Sequence, residues 1–330
     1  MPLSPLKENL KQNKKILVLP EGSEARTWDA IDLLLSEDLV SKIWLLGPSQ
    51  DLLSLKKISK YPNDPRTVFV GEELPDVGRQ TEQALLDHAK SKGKTLTNDV
   101  AKSLSESPLY QGAWMVRYGL ADAGLAGAVY NTADVIRAGL ALIGLKKGIR
   151  SISSSFLMHR PGSQPLLWLY TDCGVIIDPT SEQLADMASS SLETWMQISK
   201  SEPVVAFLSF STKGSAKHPL QEKVAIGYQI FKDRHPEIEA DGELQFDAAF
   251  DASIGLRKAP LSKVPGRANI FVFPSLDAGN IAYKITQRLG GFEAWGPILQ
   301  GFHKPWSDLS RGASPADIAA SAIINLGKSL

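Results

Sequence analysis

Residues 15–46 read KILVLPEGSEARTWDAIDLLLSEDLVSKIWLL. The apolar run from Lys15 to Pro20 has the length and composition of a buried strand, and Glu21 to Glu24 turns the chain. Arg26 to Leu39 then places Trp28, Ile31, Leu34 and Leu35 at helical spacing, and Lys42 to Leu46 returns as a second apolar strand. Strand, helix and strand within so few residues make a βαβ unit, whose helix crosses over a parallel sheet.

The alternation continues outward. Leu125 to Val129 reads as a further strand. Thr132 is placed as the cap of a helix running through Val135, Ile136, Leu140 and Ile143 to Gly144 and the basic pair Lys146 and Lys147. A domain boundary near Gly148 follows. Strands are expected at Ser151–Met158, Leu166–Tyr170, Val204–Phe210 and Ile270–Phe273, with helices starting near Thr180, Pro219 and Asp277. In the last of these, Asp277 sits near the cap, Gly279 allows close backbone approach, and Ile281, Ile285 and Leu289 are assigned to the core. Ser314, Pro315 and Asp317 form a capping pattern ahead of a final Ala/Ile-rich helix. Pro62 to Pro75 is the expected loose stretch. The fold class is α/β, with two domains of three α/β/α layers and mostly parallel sheets.

Composition narrows the function. The 330 residues, 43% hydrophobic, can build two cores. Thirty-six Lys plus Arg balance thirty-six Asp plus Glu, which leaves no basic excess for nucleic acid. The N-terminus carries no apolar signal-peptide core, and no run approaches the ~18 apolar residues of a membrane span, so a cytoplasmic protein is expected, with no membrane partner. A single cysteine, Cys173, cannot form an internal disulfide. Five dispersed histidines without HExxH spacing argue against a metal site.

Two segments and two separate arginines are suited to anion chemistry. Ser209 to Lys217 (SFSTKGSAK) leaves a strand with hydroxyls, two lysines and a glycine, suited to holding phosphate through Ser211, Thr212 and Lys213. As an ordinary polar loop it would need no ligand, and it lacks P-loop spacing. Ser310-Arg311-Gly312 with Asp317 supplies an oxyanion donor, a bidentate fork for phosphate and a base for a thiol. Asp317 also reads simply as a helix-start residue. Arg26 and Arg137 are further anion binders, or surface ion-pair residues.

Together, Leu19–Ala30 (LPEGSEARTWDA), Gly127–Leu140 (GAVYNTADVIRAGL), Asp178–Ala188 (DPTSEQLADMA), Ser211–Lys217 and Asp241–Ala249 (DGELQFDAA) resemble the phosphate acetyl/butyryl transferase family. Phe273–Gly291, Gly296–Ser314 and Asp317-Ile318 extend the resemblance over nearly the whole chain, on the acetyl side of the family. It implies a first domain of 1–148 completed by 302–330, a second of 149–301 that forms a homodimer, and an active-site cleft between them. It also implies reversible transfer of acetyl between acetyl phosphate and coenzyme A, releasing inorganic phosphate, with no permanently bound cofactor and no metal. Asp317 would be the base, Ser310 a transition-state stabiliser and Arg311 an acyl-phosphate binder. Arg137, Arg26, Asn131 and Thr132 would complete the substrate site.

The chain departs from the family in its first half. His88-Ala89-Lys90 stands where relatives carry Leu-Arg-Lys, so a substrate-binding guanidinium is missing, for which Lys90 is a partial substitute. Ala121-Asp122-Ala123 and Tyr130-Asn131-Thr132 replace the usual ADG and His-Ser-Thr stretches. Two alternatives therefore stand beside acetyl transfer. One is a propionyl or butyryl transferase; the other is a non-catalytic acyl-CoA sensor, as in family domains fused to malic enzymes. A dehydrogenase lacks support, there being no GxGxxG.

Overall fold

A computed structural model of the protein describes residues 3–163 and 165–330. In chain order its strands are β1 (Lys15–Leu19), β2 (Val40–Leu45), β3 (Thr67–Phe69), β4 (Ala123–Leu125), β5 (Ser153–Arg160) and β6 (Leu166–Thr171). They continue with β7 (Val204–Leu208), β8 (Glu239–Leu244), β9 (Ile270–Val272), β10 (Glu293–Gln300) and β11 (Trp306–Ser307). The chain divides into two compact units, one formed by Leu3–Lys147 with Phe302–Leu330 and the other by Gly148–Gly301.

In the discontinuous unit the sheet order is β11-β4-β1-β2-β3, with every pair parallel. The opening βαβ unit is realised as β1, helix Ala25–Ser36 and β2. Helix Pro315–Gly327 seals the same unit. Its N-terminus carries a reciprocal capping box between Ser314 and Asp317, and Ile318 to Gly327 are all buried. Buried Asn325 donates to the carbonyl of Gly124 (2.7 Å) and accepts from the Ser307 hydroxyl (3.1 Å), tying that helix to β4 and β11. Gly124 must be glycine because a Cβ would overlap the Trp306 ring.

The continuous unit holds a six-stranded sheet, β10-β5-β6-β9-β7-β8. The pairs β6/β9, β9/β7 and β7/β8 are parallel, and β10/β5 and β5/β6 are antiparallel. Phe156, Trp168, Tyr170, Phe271 and Phe292 form its aromatic core.

Several expectations from sequence are corrected. The strand expected at Leu125–Val129 stops at Leu125, because the N–H groups of residues 128–130 go to Glu21 instead of a ladder. Asn131, not Thr132, is the N-cap of helix Thr132–Leu142, while Asp277 lies in the first turn of helix Leu276–Gly290, two residues past its N-cap Ser275. Pro62–Pro75 is no loose loop, since it contains β3 and the short helix Val70–Glu73. Ile281, Ile285 and Leu289 are not core but 56%, 53% and 84% exposed. Helix Leu276–Gly290 packs inward through Ala278, Ala282 and Tyr283, while Gly279 lies against the Asp172 carbonyl.

Replacing Asn325 by Ala strands a buried hydroxyl and a buried carbonyl without partners. Asn325→Ala should lower unfolding free energy by about 2–4 kcal/mol, read from urea titration as a shifted midpoint at constant slope.

Candidate active site

Parallel strands deliver the loops at their carboxyl ends to one edge of a sheet, where α/β proteins place ligands. In the discontinuous unit β11, β4 and β1 are neighbours, so the segments 20–24, 126–131 and 308–314 meet there. A buried carboxylate organises the meeting point. Glu21 accepts the backbone N–H groups of Ala128, Val129 and Tyr130, each at 2.8 Å. Three successive donors that would otherwise form an anion nest are satisfied by the protein's own side chain.

Arg26 fastens the third segment. Its Nε donates to Glu24 (2.9 Å), Nη1 to the carbonyls of Arg311 (2.8 Å) and Ala313 (2.9 Å), and Nη2 to the carbonyl of Ala128 (3.2 Å). The guanidinium thus bridges the segments after β11 and β4. The side chains of Ser310 and Arg311 are left exposed at the loop tip, with no hydrogen bond or ion pair among the described residues. An unpaired guanidinium beside a free hydroxyl is equipped to receive a phosphate or an acyl oxygen.

Helix Thr132–Leu142 begins beside this loop. Asn131 caps it through the N–H of Asp134 (2.9 Å), and Arg137 pairs with Asp134 one turn in while staying largely exposed. The positive end of the helix adds to the attraction for anions. Asp317 accepts from the N–H (3.0 Å) and hydroxyl (2.7 Å) of Ser314 through Oδ2, leaving Oδ1 without a donor among the described residues. It is therefore both a capping residue and a carboxylate with one open oxygen.

Sequence reading passed over Asp308, two residues before Ser310. Its side chain is buried, and Oδ2 accepts the Thr132 hydroxyl at 2.5 Å. Oδ1 has no hydrogen-bond partner; the nearby N–H of Leu309 pulls on the carboxyl without the geometry of a bond. Gly127, at φ +112°, sits so close that a Cβ there would overlap Oδ1 and the Leu309 backbone. Burial, aided by the Glu21 charge and opposed by the Thr132 hydroxyl and Arg311, pushes the carboxyl up to about 7.

Ser211, Thr212 and Lys213 belong to the continuous unit and turn to neighbouring groups of that unit. Ser211 donates to Glu243 (3.0 Å), as does the Gly214 N–H (2.7 Å), and Thr212 donates to Gln245 (3.3 Å). Lys213, at φ 51°, pairs with Asp241 and donates to the Gly242 carbonyl (3.0 Å). Burial raises the Glu243 carboxyl, but the donors from Gly214, Gln221 and Ser211 outweigh it and hold the group below its usual range. The loop's main donors are satisfied from within.

The profile of the Phosphate acetyl/butaryl transferase family matches residues 1–326. The chain belongs to this family. It is 41% identical over 322 residues to the phosphate acetyltransferase of Bacillus subtilis, covering 95% of this chain and 94% of that one. It is also similar to a solved phosphotransacetylase from Streptococcus pyogenes, with a TM-score of 0.90 and 39% identity across 99% of this chain and 98% of that chain. A branched-chain phosphotransacylase from Enterococcus faecalis, 17% identical with a TM-score of 0.65 over 96% of this chain and 99% of that one, shares the fold.

A carboxyl raised in the folded state binds more protons there than in the unfolded chain, so stability falls as pH rises from about 4 to about 7. Asp308→Asn removes that dependence. Its stability relative to the unsubstituted protein should grow by about 3 kcal/mol between pH 5 and pH 8 in urea titrations.

Proposed function

We propose that the protein is a phosphate acetyltransferase working in the cytoplasm by direct transfer. The coenzyme A thiolate attacks the carbonyl carbon of acetyl phosphate, the C–S bond forms, the C–O bond to phosphorus breaks, and inorganic phosphate leaves. The observation that carries this reading is the unpaired Ser310–Arg311 tip, held by Arg26 beside the start of helix Thr132–Leu142. Arg311 is the binder of the acyl phosphate, with Arg137, Asn131 and Thr132 around the phosphate. Ser310 stabilises the developing oxyanion.

A free thiol near pKa 8.5 needs a base at neutral pH, and the open Oδ1 of Asp317 suits that role. Nucleophile, leaving group and proton are all supplied by the substrates and these side chains, so the proposed reaction needs no resident cofactor and should persist with a chelator present. No helix among the described residues is long and apolar enough to cross a membrane.

The test is thioester formation from acetyl phosphate and coenzyme A, run beside propionyl and butyryl phosphate. Acetyl phosphate should be the fastest substrate. Asp317→Asn should lower kcat by about 100-fold or more with KM little changed, whereas Arg311→Ala should also raise KM for acetyl phosphate. Near-normal turnover in Asp317→Asn would reject the base assignment.

The exposed stripe of Ile281, Ile285 and Leu289, four residues apart on one helix face, supports a homodimer through the continuous unit. Sedimentation should show a dimer that Ile285→Glu combined with Leu289→Glu converts to monomer; an unchanged dimer would place the interface elsewhere.

A further inference from the structure

Asp308 presents an arrangement that the reaction scheme leaves unused. One carboxyl oxygen holds Thr132 at the start of a helix, and the other is buried with no hydrogen-bond partner among the described residues, the Leu309 N–H lying nearby without bonding geometry. The charged groups acting on it are Glu21 from the turn after β1 and Arg311 from its own loop, while residues 127–132 bring no charge. An ionised Asp308 would leave an anionic oxygen without a hydrogen bond in a buried site that also feels the Glu21 charge, which is unfavourable. A neutral Asp308 still accepts the Thr132 hydroxyl through Oδ2 and carries its proton on Oδ1.

We propose that Asp308 is a positioning residue for acetyl transfer: in its neutral form it latches Thr132 to the Ser310–Arg311 loop, and substrate phosphate binds preferentially to that form. Ionisation would draw Arg311 inward and set a negative charge beside the incoming phosphate. Binding of the anion and retention of the proton are therefore linked, each favouring the other. Gly127 belongs to the same device, since any side chain there would displace the carboxyl.

This inference rests on the acetyltransferase reading, and the experiment separates the two. KM for acetyl phosphate is measured from pH 6 to 8.5 in the unsubstituted enzyme, Asp308→Asn and Asp308→Ala. The unsubstituted enzyme should show KM rising about tenfold above pH 7, as expected for coupling worth about one pKa unit. Asp308→Asn, neutral at every pH and able to accept from Thr132, should flatten the profile; Asp308→Ala should raise KM throughout. A merely structural role would leave the Asn profile parallel to the unsubstituted one, and that result overturns the inference. Infrared difference spectra at pH 6 should show a protonated-carboxyl C=O band missing from Asp308→Asn, and inorganic phosphate should strengthen that band at pH 7.5. No turnover with any acyl phosphate would sink the functional reading alone, because the infrared band still decides the state of Asp308; absence of the band overturns the proposal outright.

Discussion

The arrangement depends on carboxylates placed at the ends of strands. Where a parallel strand ends, the chain leaves its ladder and its N–H groups need new acceptors. Glu21 supplies them for residues 128–130, and Glu243 for the loop after β7. Asp172, just after β6, accepts from the N–H groups of Gly174, Val175 and Ile176. Glu21 and Glu243 each reach across to the loop after the neighbouring strand, so strand order in the sheet decides which loops become rigid. A hydroxyl or amide could not accept as many bonds, which explains why charged residues sit in positions that are otherwise apolar.

This also explains what could and could not be read from the chain. The first βαβ unit and the Ser314 capping box were legible because apolar spacing and local capping chemistry depend on nearby residues alone. Ala126 to Val129 misled because its apolar character suits a strand, while the N–H groups of Ala128 and Val129 find their acceptor in Glu21, more than a hundred residues away. β8, with Glu239, Asp241 and Glu243, hid for the converse reason: its acidic residues, of which Asp241 and Glu243 serve the adjacent loop, give no apolar alternation. The stripe of Ile281, Ile285 and Leu289 has correct helical spacing, but periodicity does not say which side faces the core when alanines and a tyrosine do the packing.

At the candidate site, Ser310, Arg311 and Asp317 were visible as residue types suited to acyl transfer, and the family resemblance gave them roles. The supporting shell was not visible. Arg26 reads as a ligand arginine, yet four of its donor contacts are made to Glu24 and to carbonyls of two other segments. Asp308 offered no signal beyond lying next to the Leu-Ser-Arg-Gly stretch, since its character comes from enclosure by Gly127, Thr132 and Leu309. Preorganisation of this kind is a property of packing, and single-residue chemistry does not reveal it.

The discontinuity of the first unit has a consequence for how the molecule is made. β11, the Ser310–Arg311 loop and helix Pro315–Gly327 all come from the segment following Gly301, yet they complete the sheet begun at Lys15. During synthesis the ribosome must deliver the whole of the continuous unit before the first can close, so the half begun earlier finishes folding later. Until then β4 presents an open edge and the groove destined for the final helix stays wet, a period in which the nascent chain is exposed to chaperones and proteases. The Ser310–Arg311 loop is then fixed as the last act of folding, and a chain cut short before Ser310 would carry neither that loop nor the final helix.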